Sequence, residues 1–324
     1  MKKLMLLILL FWVNVCLGTE PLKFMWFSDT HNCDRDTIYG RYYRQVLTDK
    51  LPTMITIANS VGASLVIGTG DIAEFEHDKT GTLANLAAVT GALAAAGLEY
   101  KFAVGNHDIP YATKPLWLAQ LGYSKGYYSF DRSGVHFVFL DANFDDAGND
   151  HAGWTNDRPY YIPQAEQDWL TADLAVNKNK PTLVFTHQRI DSYSYSGSGA
   201  HGTVEASAGN AVRSILESAG NVKVVFQGHV HTSTYSVING IKYYSIMSMV
   251  DGNAVTNANN NAYALVDINA DGDLTITPYA LADITSAWTN KTTKTGTDNY
   301  AEKIKITVPA SSITTNLGKT GGTP

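Results

Sequence analysis

Five short polar clusters in this 324-residue chain carry residue types that hold cations and move protons. They are Asp29-Thr30-His31, Gly70-Asp71, Gly105-Asn106-His107-Asp108, Thr186-His187 and Gly228-His229-Val230-His231. Together they offer two aspartates, one asparagine and four histidines of ligand character, with His107 as a further histidine. A mixed oxygen and imidazole set of that size suits two borderline metals such as Mn, Fe or Zn rather than Ca. Only Cys16 and Cys33 are present, which excludes a thiolate site. Any one cluster alone reads as a turn or a core histidine. All five in order, each after an apolar run, read as one site.

The apolar runs are the elements that must position these side chains. Leu22–Phe27, Leu65–Ile67, Tyr100–Val104, Thr182–Phe185 and Val222–Phe226 are buried-strand patterns, each ending at one of the clusters. Val135–Leu140 is a sixth, ending at Asp141. Helical patterns cover Arg35–Ser60, Leu83–Ala96, Pro163–Val176 and Ala208–Ala219. Tyr235–Ile238, Lys242–Ile246, Tyr263–Ile268 and Leu274–Tyr279 read as later strands, the last two joined by an Asp271-Gly272 hairpin signal. Strands alternating with helices first, and hairpin-linked strands later, predict an α/β or α+β layered sandwich. In such folds strand ends are where side chains distant in sequence converge.

In this order the motifs resemble the calcineurin-like metallophosphoesterases, over roughly residues 22–280 and with no motif broken. The resemblance implies a four-layer αββα sandwich of two mixed sheets, with the metal site at the C-terminal ends of the strands. It also implies that Asp29, His31 and His231 bind one metal and Asn106, His187 and His229 a second, with Asp71 bridging. Two divalent or transition ions are expected, with Mn, Fe, Zn and Co all compatible. Cations about 3.5–4 Å apart would activate water for an in-line displacement at phosphorus. His107 is then expected to supply the leaving-group proton, and Asp108 to orient its ring. Asn106 and Arg189 are the expected substrate contacts, while Glu74 is left between positioning the loop and no role. Leu140-Asp141-Ala142-Asn143, Ile162-Pro163-Gln164 and Thr186-His187-Gln188-Arg189 resemble the bacterial extracellular branch of the family. More distantly they are similar to the manganese-dependent ADP-ribose/CDP-alcohol diphosphatases.

The ends of the chain and its charge bound the function. Lys2-Lys3, the apolar Leu4–Val13 and Gly18 have the layout of a cleaved signal peptide over residues 1–18, implying a secreted or periplasmic protein. An uncleaved anchor and lipidation at Cys16 are the alternatives. The catalytic domain is expected over residues 19–284. A polar extension follows over 285–324, with one edge strand at Glu302–Val308 and disorder from 310. Losing residues 1–18 takes the formal charge from −6 to −8, which argues against a nucleic-acid polymer as partner. The expected partner is a small phosphate ester, with no membrane contact after cleavage and no partner protein implied. Phosphodiester or nucleotide-type substrates are favoured, with phosphomonoesters for phosphate scavenging as the alternative. Binding of metal or polyphosphate without catalysis is a third reading. Four further histidines, His77, His136, His151 and His201, are read as structural or loop positions.

Overall fold

The computed structural model describes residues 21–38, 40–74, 78–151, 160–191, 204, 206–254, 262–280 and 304–305. Leu22–Phe27 (β1), Leu65–Gly68 (β2) and Glu99–Phe102 (β3) run parallel in that order. Ala262–Ile268 (β10), Asp273–Ala280 (β11) and Ile304–Lys305 (β12) continue antiparallel from the other edge of β1. The second sheet has Tyr128–Arg132 (β4) antiparallel to Val135–Phe139 (β5). Parallel Thr182–Phe185 (β6), Val222–Gln227 (β7) and Ile241–Ser245 (β9) follow, with antiparallel Thr234–Ile238 (β8) at the far edge.

Alternation along each central strand explains the layering. Phe24 and Trp26 point between the sheets, where they meet Phe137, Phe139, Phe185 and Phe226. The Phe185 and Phe226 rings stack with centroids 4.9 Å apart, and Trp26 meets Phe226 edge-on at 4.7 Å. Met25 and Phe27 point the other way, into a core shared with the helices Leu51–Val61 (α1), Lys79–Ala95 (α2) and Lys114–Leu121 (α3). Val138, Val184 and Val225 do the same beneath Gln164–Val176 (α4) and Ala206–Ala219 (α5). Strands covered on both faces need apolar residues on both sides through their centres, which is why these runs show no regular polar alternation. The result is the expected four-layer αββα sandwich.

Three local expectations are corrected. Residues 35–38 and 40–44 are not helical: Ile38 and Arg41 pair with each other, and Arg41 bridges to Asp251. Helix begins only with a π-helical turn at Val46–Lys50 that runs into α1. The helix α3 and the strand β4 carry no strong periodicity and are additions to the predicted elements. Strand β12 falls within the edge strand expected at 302–308. The expected signal segment, His77, His201 and nearly all of residues 285–324 lie outside the described residues. Among the described residues no helix is long and apolar enough to cross a membrane.

His136, read as structural, lies between two carboxylates, with Nδ1 2.8 Å from Asp131 and Nε2 2.7 Å from Asp173. Burial works against its charge, but Asp173 and Asp131 outweigh it and raise its pKa above the ordinary histidine value. A raised pKa stabilises the fold fully below about pH 6.5, and the contribution is lost as pH rises through the folded value. The difference in urea midpoint between wild type and His136→Gln is therefore expected to be largest near pH 6 and to shrink towards pH 9. A difference that stays constant over that range would remove the linkage.

Candidate metal centre

The loops after β1 and β2 are zipped together by their backbones. Asp29 N–H donates to Gly70 O at 3.0 Å and His31 N–H to Asp71 O at 2.9 Å. The loop after β7 joins them, with His229 N–H donating to Asp29 Oδ2 at 3.0 Å and Gly228 N–H to His187 O at 3.0 Å. Such close approach needs glycine. A Cβ on Gly105 would fall on the backbone nitrogen of Asp71, and one on Gly228 would fall on the Ser28 hydroxyl. Asp29, His31, Asp71, His229 and His231 all have left-handed backbones, with φ of 53°, 44°, 50°, 71° and 50°. Non-glycine residues pay about 1 kcal/mol or more each for that conformation, and such strain concentrates at functional sites.

Two groups form around one carboxylate. Asp29, His31 and His231 bring ligand-type atoms within 4.8 Å of one another, as do Asp71, His187 and His229. Asp71 Oδ2 lies 3.1 Å from His187 Nε2 and 3.6 Å from His31 Nε2, between the groups. Asn106 Oδ1 is 3.1 Å from His187 Nε2. All seven side chains read from sequence as metal-binding therefore come together at one rim of the strands.

The hydrogen bonds behind the imidazoles test whether this set fits cations. His31 Nδ1 is 2.8 Å from Glu74, His231 Nδ1 3.0 Å from Asp251, and His187 Nδ1 2.7 Å from Thr69 O. Each is an acceptor, so in the neutral rings each Nδ1 carries the proton and each Nε2 turns a lone pair inward. The Nε2 atoms of His31 and His231 then face each other at 3.0 Å. Asp29 Oδ1 beside them is buried with no hydrogen-bond partner. His187 Nε2 likewise faces the Asn106 carbonyl oxygen. Lone pairs crowded on lone pairs are what a cation resolves, and the donor set fits two.

Electrostatics point the same way. Burial alone would raise the Asp29 carboxyl, but His231, His31 and His187 outweigh it and hold it well below the usual range. For Asp71 burial is again outweighed, here by His187, His107 and His31. Burial would lower His187, yet Asp71 and Asp29 push it up to about 9. A cluster that gathers protons this strongly must release them when cations bind.

His107 lies beside this pair of groups. Its ring meets the His31 ring edge-on at 4.5 Å, its N–H donates to Asp71 Oδ1 at 2.8 Å, and its side chain is 19% exposed. The carboxylate behind it is Glu74, at 2.8 Å from Nδ1, and not Asp108. Asp108 is fully buried and accepts from the backbone N–H groups of Ala73 and Gly105, at 2.9 and 2.8 Å. It thus braces the loops after β2 and β3, and its expected orienting role is corrected. Burial first, and the neighbouring Asp71 second, raise its carboxyl to about 7. Arg189 is corrected too: its guanidinium is 1% exposed and grips Asp191 through two bonds of 2.9 and 2.6 Å, so it is held inside the fold.

Three residues that sequence reading did not assign support the centre. Asp251 stands behind His231 and gave no stronger signal than an Asp-Gly turn. Asn143 is fully buried; its Nδ2 donates to Val104 O at 2.9 Å and its Oδ1 accepts from Gln188 at 2.7 Å. It thereby ties the loop bearing Asn106 to the loop bearing His187. Tyr160 is 5.3 Å from the His229 ring and 5.1 Å from the ring of His151, which is buried and not a solvated loop residue.

Glu74 serves two imidazoles at once, and His107 and His31 hold its carboxyl far below the usual range despite burial. Glutamine offers one acceptor where two ring N–H groups need one each. Glu74→Gln is expected to lower kcat/KM and Mn affinity by about 10–100-fold, the range for removing a carboxylate behind a metal-binding histidine. Titration of Mn against each protein checks this, and values within twofold of wild type would refute it.

A two-sheet sandwich whose strand ends gather paired cation-binding groups around a shared aspartate is the class of protein defined by this fold and site. Residues 22–233 match the calcineurin-like phosphoesterases, and the chain belongs to that family. Purple acid phosphatase 21 of Arabidopsis thaliana is 36% identical over 117 residues, covering 35% of this chain and 22% of that protein, so most of that relative lies outside the match. A dimetal phosphatase from Danio rerio shares the fold with a TM-score of 0.66 at 17% identity, over 81% of this chain and 96% of that one. A purple acid phosphatase from yellow lupin does so with a TM-score of 0.54 at 13% identity, over 80% and 51% of the two chains.

Proposed function

We propose that this protein hydrolyses phosphate esters using two metal ions held at the strand ends. The observation that carries the reading is the pair of inward-facing acceptor groups sharing Asp71 Oδ2. Asp29, His31 and His231 would hold one ion, Asn106, His187 and His229 the other, and Asp71 both. When bound, such ions neutralise phosphate oxygens and acidify an attacking water. The chain itself supplies the leaving-group proton. Glu74 holds His107 Nδ1, which directs the other ring nitrogen away from that carboxylate and towards substrate. The Asn106 amide adds a polar contact beside the second ion.

Phosphodiesters or nucleotide-type esters are the favoured substrates. A monoester dianion carries one more charge than a diester, and Arg189, the cation read as a substrate contact, is buried on Asp191. Phosphomonoesters are the second reading, favoured by the similarity to purple acid phosphatase 21. Export through removal of residues 1–18 belongs to the same proposal. The test is kcat/KM for bis-p-nitrophenyl phosphate against p-nitrophenyl phosphate, with residues 19–324 loaded with Mn, Fe, Zn or Co. A metal-dependent preference for the diester supports the reading and the reverse selects the monoester. No turnover with any metal would overturn both.

A further inference from the structure

The π-helical turn Val46–Lys50 brings a lysine into the interior. Lys50 is fully buried, and its ammonium donates to three backbone carbonyls of one loop: Met249 at 2.6 Å, Asp251 at 2.7 Å and Gly252 at 2.8 Å. All three ammonium hydrogens are thus used. A buried charge costs several kcal/mol unless it is fully bonded. A π turn is itself a costly departure that recurs at functional sites. Burial lowers the ammonium to about 8, opposed by Asp251 and Asp49, so it stays charged at neutral pH.

The loop it grips does two things. Met249 N–H donates to Ser28 O at 2.9 Å and Val250 N–H to Asp29 O at 3.1 Å, bracing the first motif from behind. Asp251 Oδ2 accepts from His231 Nδ1 at 3.0 Å and from the Ser248 hydroxyl at 2.6 Å, setting the ring of the last motif. Nothing comparable joins Lys50 to Asn106, His187 or His229 among the described residues.

We propose that Lys50 is a positioning residue for one metal subsite only, acting through the 249–252 loop on Asp29 and His231. The proposal rests on the two-ion reading above. It makes the two subsites separable: loss of Lys50 loosens the ion at Asp29, His31 and His231 and spares the other.

The experiment is Mn titration, with metal content after dialysis, of wild type and Lys50→Met, each alone and combined with His231→Ala or His229→Ala. One of the two Mn ions is expected to bind about 10–100-fold more weakly in Lys50→Met, the size seen when support behind a ligand is removed. That weakening should shrink in the His231→Ala background, where only the route through Asp29 remains, and persist in full in the His229→Ala background. A general loss of stability would instead weaken both ions in every background, and would overturn the proposal, as would two unchanged ions. If Lys50→Met does not fold, Lys50→Gln, which keeps a donor for the carbonyls, is expected to show the same split at smaller size. Wild type binding fewer than two Mn ions would overturn the two-ion reading itself, a result distinct from two ions bound and weakened equally.

Discussion

Asp71→Asn is expected to slow ester hydrolysis by about 10³-fold or more and to leave one firmly held ion instead of two. The reason lies in the two oxygens of this carboxylate. Oδ1 accepts from the His107 N–H at 2.8 Å, an interaction asparagine keeps through its carbonyl. Its amide nitrogen then occupies the place of Oδ2, 3.1 Å from His187 Nε2 and 3.6 Å from His31 Nε2. There it donates to the lone pairs that would otherwise face cations. The variant therefore keeps its volume and its loop contact but satisfies the imidazoles without metal. It also removes the anion that raises His187, so fewer protons are released when metal is added. Metal content after dialysis and kcat measured together decide the matter. Two ions retained with less than tenfold loss of rate would show that Asp71 does not bridge.

His107→Gln is expected to leave both ions in place and to lower kcat by about 10²–10⁴-fold for esters of alkyl alcohols. For p-nitrophenyl esters the loss should be much smaller, because p-nitrophenolate departs without a proton. The split follows from position: His107 is partly exposed, lies against the His31 ring, and has its Nδ1 fixed by Glu74. Rates for a series of leaving groups of rising pKa should show a steeper dependence in the variant than in wild type. The competing outcome is equally concrete. His31, Asp71 and His107 also bring ligand-type atoms within 4.8 Å, so loss of an ion in His107→Gln would make this residue a ligand and not a proton donor.

The layered fold was legible because the central strands are covered on both faces. Apart from Lys23, Lys223 and Gln227, runs such as Leu22–Phe27 and Val222–Gln227 are then apolar on both faces, and each ends where a polar motif begins. The side chains that gather at the strand ends were legible for the same reason: residue type and short-range spacing place them there whatever the loops do. The hairpin from β4 to β5 was less visible, although Ser133-Gly134 takes the left-handed backbone at both positions, with φ of 51° and 78°. The helical reading misled before residue 45, where Tyr42 N–H is drawn instead to Val250 O and Arg41 bridges to Asp251.

What tertiary structure alone decided is which group stands behind which imidazole. Asp108 is adjacent to His107 in sequence, yet the turn aims its carboxylate at backbone N–H groups and leaves Glu74, 33 positions away, to hold the ring. Arg189 follows His187 closely, but it is buried on Asp191. Asp251 reaches His231, and Lys50 reaches Met249 across 199 positions, through loops whose approach no local pattern encodes. Sequence by itself determined the chemistry of the donor atoms and the strands that deliver them, since both depend on residue type and near neighbours. The orientation of those atoms came only with the packed fold, because it is set by hydrogen bonds between segments that meet after the sheets have stacked.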